Sequence, residues 1–208
     1  MGLLDFFSKG KKEAKQPAAS KHFQAFYDQG MIELESSDFT KAVEYFDKAI
    51  AEAEKVKDNP IEKAYSQKAR ALDGLGNYQE SGRLYDLAFE RMPDDANLWY
   101  MRGLSYADQS LYDKAAKYYE KAFELNPHLE DAMFAKAKLH EKLGQYDKQL
   151  ECYQRIIQAN PDSLKADQAL HKVQLERKRA TNSQWLGGIT KGIKLREEKE
   201  EDKTGGES

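Results

Sequence analysis

Prolines at positions 93, 127 and 161 stand 34 residues apart. The same period runs through Gly76, Ser110 and Gly144, through Tyr78, Tyr112 and Tyr146, and through Tyr85, Tyr119 and Tyr153. Ala88, Ala122 and Ile156 close each unit at that spacing. Coincident series of this length mark a chain built from copies of one supersecondary unit, each too small to bury its apolar face without its neighbours. Only 10 of the 208 residues are Val or Ile, the types that fill pleated sheets, whereas 24 are Ala and 12 are Tyr. All 12 Tyr fall between positions 27 and 153, inside the periodic region. A sheet is excluded on this pattern. The core must be helices brought close by Ala and filled by aromatic rings.

Within the unit that begins at Trp99, the order Trp99, Gly103, Tyr106, Ala115, Tyr119, Ala122, Pro127 resembles the tetratricopeptide repeat, W-x2-L-G-x2-Y…A-x3-F…P, except that Arg102 takes the Leu position. The unit from 62 to 95 matches with Tyr65, Ala69, Leu72, Ser81, Tyr85, Ala88 and Pro93. The unit from 130 to 163 matches with Met133, Ala137, His140, Gln149, Tyr153, Ile156 and Pro161, its small-residue position being looser at Gln149. An offset first copy places Phe26, Gly30, Phe39, Ala42, Phe46 and Ala49 at 39 residues before Tyr65, Ala69, Tyr78, Ser81, Tyr85 and Ala88. The surplus falls after Ala49 and predicts a second helix in that copy, through AEAEKVKD, longer by a little over one turn. Asp94, Asp95 and Asp162 follow prolines where a helix N-cap or first turn welcomes a carboxylate. After Pro161, Leu164, Ala169, Leu170 and Val173 share one face of a further helix, whose expected role is to cap the array. The resemblance implies an all-α fold, a right-handed α-solenoid of about four helix pairs plus that C-terminal capping helix. Three regions are expected: a short apolar and basic segment over 1–21, the array with its cap over 22–180, and a Trp-containing, then charged, flexible tail over 181–208.

Catalytic chemistry has no support in the residues. His22, His128, His140 and His171 are scattered and none sits in H-E-x-x-H; His140 occupies a position that other copies fill with Tyr106 or Leu72, so it reads as a packed ring. Gly74-Leu-Gly76 lacks the third glycine of a dinucleotide fingerprint, and GGITKG is no phosphate loop. Cys152 has no assignable base and reads as a structural thiol. No enzyme activity, metal or cofactor is expected. Nucleic acid is not expected either: 36 acidic and 33 basic residues leave a net charge of -3, and the array from 22 to 180 carries -5, where phosphate binding requires a basic stripe. A lone cysteine, the absence of any apolar run long enough to span a bilayer, and an N-terminus whose charges follow its apolar cluster point to the cytoplasm.

What remains is binding. In stacked pairs the first helix of each lines the face used for partners. With Trp99, Gly103 and Tyr106 committed to packing, Asn97, Tyr100, Met101, Leu104 and Asp108 fall on the other side of that helix. The equivalents are Gln24, Tyr27, Asp28 and Met31, then Lys63, Ser66, Gln67 and Arg70, then Asp131, Phe134, Ala135 and Lys138. The expected partner-binding groove is therefore Tyr27, Met31, Gln67, Arg70, Asn97, Tyr100, Met101, Leu104, Asp131, Phe134 and Lys138, with an apolar centre suited to a peptide or helix of a protein partner. One subclass of the resembled family clamps C-terminal carboxylates with Lys, Asn and Arg; here those places hold Tyr27, Met31, Gln67, Asn97 and Met101, so a less charged ligand is expected. The reading is a non-catalytic adaptor or scaffold. The alternative is a peripheral membrane assembly factor, in which Leu3, Leu4, Phe6 and Phe7 with Lys9, Lys11, Lys12 and Lys15 make weak contact with an anionic surface. Trp185, in a glycine-interrupted helical pattern, is expected to dock on the array or on a partner.

Overall fold

The computed structural model describes residues 21–55 and 60–183. The apolar cluster at Leu3, Leu4, Phe6 and Phe7 and the Trp185 tail lie outside the described residues. The chain divides into two compact units, one running to Gln109 and the other starting at Ser110.

Unit 1 holds α1 (Lys21–Glu35), α2 (Phe39–Glu54), α3 (Ile61–Gly74), α4 (Tyr78–Arg91) and α5 (Ala96–Asp108). Each helix forms because its small and aromatic residues recur at i, i+4, i+7, as in α2, where Ala42, Phe46, Ala49 and Ala53 are all buried. Asp38 caps α2 by accepting the Lys41 amide, Asn77 caps α4 by accepting that of Glu80, and Asp95 caps α5 by accepting those of Asn97 and Leu98. The chain reverses between α1 and α2 at Ser37 and between α3 and α4 at Gly76, both with positive φ. Thus Ser37 is the first-copy counterpart of Gly76, at the 39-residue offset. Successive helices pack on one another, and α3 also packs on α1 and α5. Three buried clusters result: Phe23 with Ala49 and Ile61, Leu34 with Phe46 and Ala71, and Ala69 with Tyr85 and Leu98.

The first copy's second helix is longer than expected from the other copies by less than one turn. α2 has 16 residues against 14 in α4. It ends at Glu54, with Lys55 as its C-cap. The rest of the inserted length falls over 55–59, of which 56–59 lie outside the described residues.

Unit 2 holds α6 (Tyr112–Leu125), α7 (Glu130–Lys142), α8 (Tyr146–Ala159) and a helix α9 over 164–183. The second helices end just before their prolines, α6 at Leu125 and α8 at Ala159, because proline neither donates to nor fits a continuing turn. Ser110 and Gly144 take the positive-φ turn positions. Tyr119, Ala122, Met133, Ala137, Tyr153 and Ile156 are buried, as their repeat positions require. At the α8–α9 turn, Asn160 and Ser163 donate to the two carboxylate oxygens of Glu130 at 2.5 and 2.7 Å, tying the start of α9 to the start of α7.

Two local expectations are corrected. Leu164 does not face the array: it is 75% exposed, and Ala166 and Val173 are the buried residues of α9, with Ala169 and Leu170 half-buried. The buried series starts from Ser163, whose carbonyl accepts the Asp167 amide, so the inward face is rotated one position from the one read in the sequence. The position ahead of α9 is accordingly Ser163 rather than Asp162. No helix among the described residues is long and apolar enough to cross a membrane.

Candidate functional site

In unit 1, α1, α3 and α5 and the turn before α5 enclose a pocket of about 360 Å³. Tyr27, Gln67, Asn97, Tyr100 and Met101 all line it, together with Lys63 and Ser66. Met31, Arg70 and Leu104 do not: Met31 and Leu104 are half-buried, Met31 against the Leu34–Phe46 cluster, and Arg70 is exposed.

The pocket is built by packing from below. Tyr27 stacks on Phe23 at 5.8 Å between ring centroids and meets the edge of Phe46 at 5.9 Å, which fixes its ring. Burial raises its phenol above the ordinary value; the Asp28 carboxylate adds to the rise and the Gln67 side chain opposes it. Met101 packs on the Ala69–Leu72–Leu98 cluster, and its sulfur lies 3.7 Å from Gln67 Nε2. Ser66 is only 3% exposed, and its hydroxyl donates to the Lys63 carbonyl one turn back. It contributes wall rather than an available polar group.

Helix-face counting missed Met92, Asp95 and Leu98, which also line the pocket. Met92 and Asp95 lie in the α4–α5 turn, which a count along first helices does not visit. Both Asp95 contacts to main-chain amides cap α5, so its carboxylate is engaged. Lys63 is then the one cationic side chain of the lining among the described residues. A pair of Lys or Arg residues able to clamp a terminal carboxylate is not assembled there.

In unit 2 the sequence-predicted residues are met by the chain's own last helix. Lys165 of α9 holds its ammonium 4.1 Å over the Phe134 ring and 3.6 Å from the Asp131 carboxylate, while Tyr153 packs beside Phe134 at 5.7 Å. Lys138 is exposed. A depression of about 330 Å³ elsewhere in unit 2 is lined by Glu120 and Lys136, which are joined at 2.6 Å, with Arg155 on the other Glu120 oxygen. Burial acts to raise the Glu120 carboxyl, but these two hydrogen-bonded cations outweigh it and hold it below the ordinary value. Its charges are spoken for.

Groups of chemical interest elsewhere are structural. His140 is 9% exposed, its Nδ1 lies 2.9 Å from Gln145 Oε1, and burial holds its pKa below the ordinary value. The Cys152 thiol is buried and pushed up to about 11 by that burial. Among the described residues no group of three or more His, Cys, Asp or Glu is placed to hold a metal.

Sequence reasoning also missed a buried polar network in unit 1. Asp73, near the end of α3, accepts the hydroxyls of Ser81 at 2.5 Å, Ser105 at 3.0 Å and Tyr85 at 3.2 Å. Arg102, the residue in the Leu position, is 9% exposed and lies over the rings of Tyr85 and Tyr106 at 5.1 and 4.6 Å. One signal was available: an acid in the last turn of a helix opposes the macrodipole and calls for compensation.

The sequence matches the tetratricopeptide repeat family over residues 66–130 and 100–163, and again over 23–55, more than half of the chain in all. No curated protein sequence matches it. Among solved structures, the fold is similar to the MamA protein (17% identity, 77% of this chain and 87% of that one, TM-score 0.54). It is also similar to yeast Tom70 (19% identity, 76% of this chain and 33% of that one, TM-score 0.60) and to Pseudomonas aeruginosa pilF (12% identity, 76% of this chain and 70% of that one, TM-score 0.61). At these identities the likeness is one of fold. Helix pairs with buried Ala and Tyr at the repeat positions, positive-φ turns at each reversal and the sequence matches agree: the chain belongs to the tetratricopeptide repeat family.

Proposed function

We propose that the chain is a non-catalytic adaptor that holds a segment of a partner protein against the first-helix face of unit 1. The observation that carries this reading is the convergence of Tyr27, Gln67, Asn97, Tyr100 and Met101, from three helices, on one open pocket whose charged lining is sparse. Its volume falls in the range of ligand-binding clefts, and its mix of aromatic rings, thioethers and carboxamides matches the core composition of recognition surfaces. Asp131, Phe134 and Lys138 extend the same role to unit 2 only where a partner displaces Lys165. A lone buried thiol fits a reducing compartment such as the cytoplasm.

The test is affinity purification of the intact protein under native conditions, with mass spectrometry of what accompanies it, beside a Tyr100→Asp, Arg70→Glu variant shown to be folded by circular dichroism. The reading predicts partners recovered with the natural sequence and lost with the variant. Equal recovery would contradict it, and loss instead on replacing Leu3, Leu4, Phe6 and Phe7 with Ser would favour attachment through the N-terminal segment.

A further inference from the structure

The Gln67 carboxamide is poorly used by the fold around it. Its Oε1 is buried without a hydrogen-bond partner, and its Nε2 has only the Met101 thioether, a weak acceptor, at 3.7 Å. Folded proteins leave few buried polar atoms in this condition. The neighbours do not relieve it: the Ser66 hydroxyl is committed to the Lys63 carbonyl and the Asp95 carboxylate to the α5 amides. Gln67 nevertheless lines the pocket, so one unmet acceptor and one under-used donor stand side by side in its wall.

We infer that this pocket receives an extended, not helical, segment of the partner, one of whose residues pairs its main-chain N–H and C=O with Gln67 Oε1 and Nε2; this rests on the adaptor reading above. In an extended chain the N–H and C=O of a single residue project to the same side, as they do toward a neighbouring strand. A side-chain carboxamide presents the complementary acceptor and donor. A helix has no such pair to offer along its length, because its interior amides and carbonyls bond one another. Beside Gln67, Met92 and Met101 give a deformable apolar wall between the Tyr27 and Tyr100 rings. The partner's flanking side chain is therefore uncharged and loosely specified, while the main chain sets the register.

A randomised peptide library displayed on phage, selected against the full chain, supplies the probe. Peptides whose binding is lost in Tyr100→Asp are kept, and one is resynthesised with each backbone nitrogen methylated in turn. The inference predicts one methylation that weakens binding to the natural protein by about tenfold or more. The same methylation changes binding little in Gln67→Met, a variant of nearly equal volume that already binds the unmodified peptide more weakly. A flat methylation scan, or tighter binding by a helix-stapled version, overturns the extended mode while leaving the Tyr100 pocket in place. Failure to select any peptide that depends on Tyr100 overturns the adaptor reading and this inference with it.

Discussion

Ser105 of α5 donates its hydroxyl to the carboxylate of Asp73 on α3 at 3.0 Å, and both residues are buried. The same carboxylate takes the hydroxyls of Ser81 and Tyr85 from α4, so one acid ties three helices together. Asp73→Ala removes the partner of two buried hydroxyls and one of the two partners of Ser81, whose hydroxyl also reaches the Tyr78 carbonyl. At about 1–3 kcal/mol for each stranded group, the expected loss is about 2–4 kcal/mol in urea denaturation. A loss under about 1 kcal/mol would show that the network does not stabilise unit 1.

The same carboxyl predicts a pH dependence of unusual sign. Burial raises its pKa above 3.8, against the opposing effect of the three hydroxyls and of the nearby Arg102. Between 3.8 and the raised value the folded chain holds a proton that the unfolded chain has lost, so this group favours folding more as the pH falls through that window. The stability of the natural protein minus that of Asp73→Asn should rise on acidification from neutral pH and level off below 3.8. A difference that falls on acidification would mean that the ionised form is the favoured one in the fold.

Gly30 and Phe46 test the helix contact of the first copy. A Cβ on Gly30 would stand 2.7 Å from the Phe46 ring, which is fully buried and has nowhere to move. Overpacking of this kind costs about 1–3 kcal/mol, and the better helix propensity of Ala returns at most about 1. Gly30→Ala should therefore lose about 1–2 kcal/mol. Combined with Phe46→Leu, the two losses should be less than additive by at least about 0.5 kcal/mol. Strict additivity would place the strain elsewhere.

Gln149 in unit 2 occupies the position that other copies fill with Ala42, Ser81 and Ala115, and its buried Oε1 has no partner. Replacing a buried, unsatisfied amide with an apolar side chain of similar shape is neutral or favourable. Gln149→Met should leave the melting temperature unchanged or raise it, by a stability increment of up to about 1 kcal/mol. A loss beyond about 1 kcal/mol would mean that the amide is satisfied in solution.

Cys152 should be inert while the chain is folded. With its pKa pushed up to about 11 and its sulfur buried, an aromatic disulfide reagent at pH 8 should react at least about 100-fold more slowly than in denaturant. Comparable rates would place the thiol at the surface.

The sequence made the architecture readable because a solenoid repeats its contacts: the prolines, the turn residues and the Tyr series are each forced by a local requirement that recurs. Ser37 fits the same logic through a positive φ that an offset of 39 had concealed. Residues set by rotation about a helix axis were less readable. Leu164 against Ala166, and Ser66 buried where exposure was expected, differ by a position or less than a turn, which periodicity alone does not resolve. Met92 and Asp95 reach the pocket from a turn, and Arg102 enters the core only because Tyr85 and Tyr106 offer it ring faces. Those facts depend on three-dimensional neighbours with no fixed sequence spacing.

The central claim is that the Tyr100 side of unit 1 meets a partner. Benzoylphenylalanine placed at position 100 in the intact protein, and in parallel at position 87 on α4, where Leu87 is 41% exposed, tests it by photocross-linking in cells. The account predicts a discrete cross-linked product at position 100, mapping to one short segment of one partner, and none at position 87. Products of equal yield at both positions, or at position 87 alone, would contradict it.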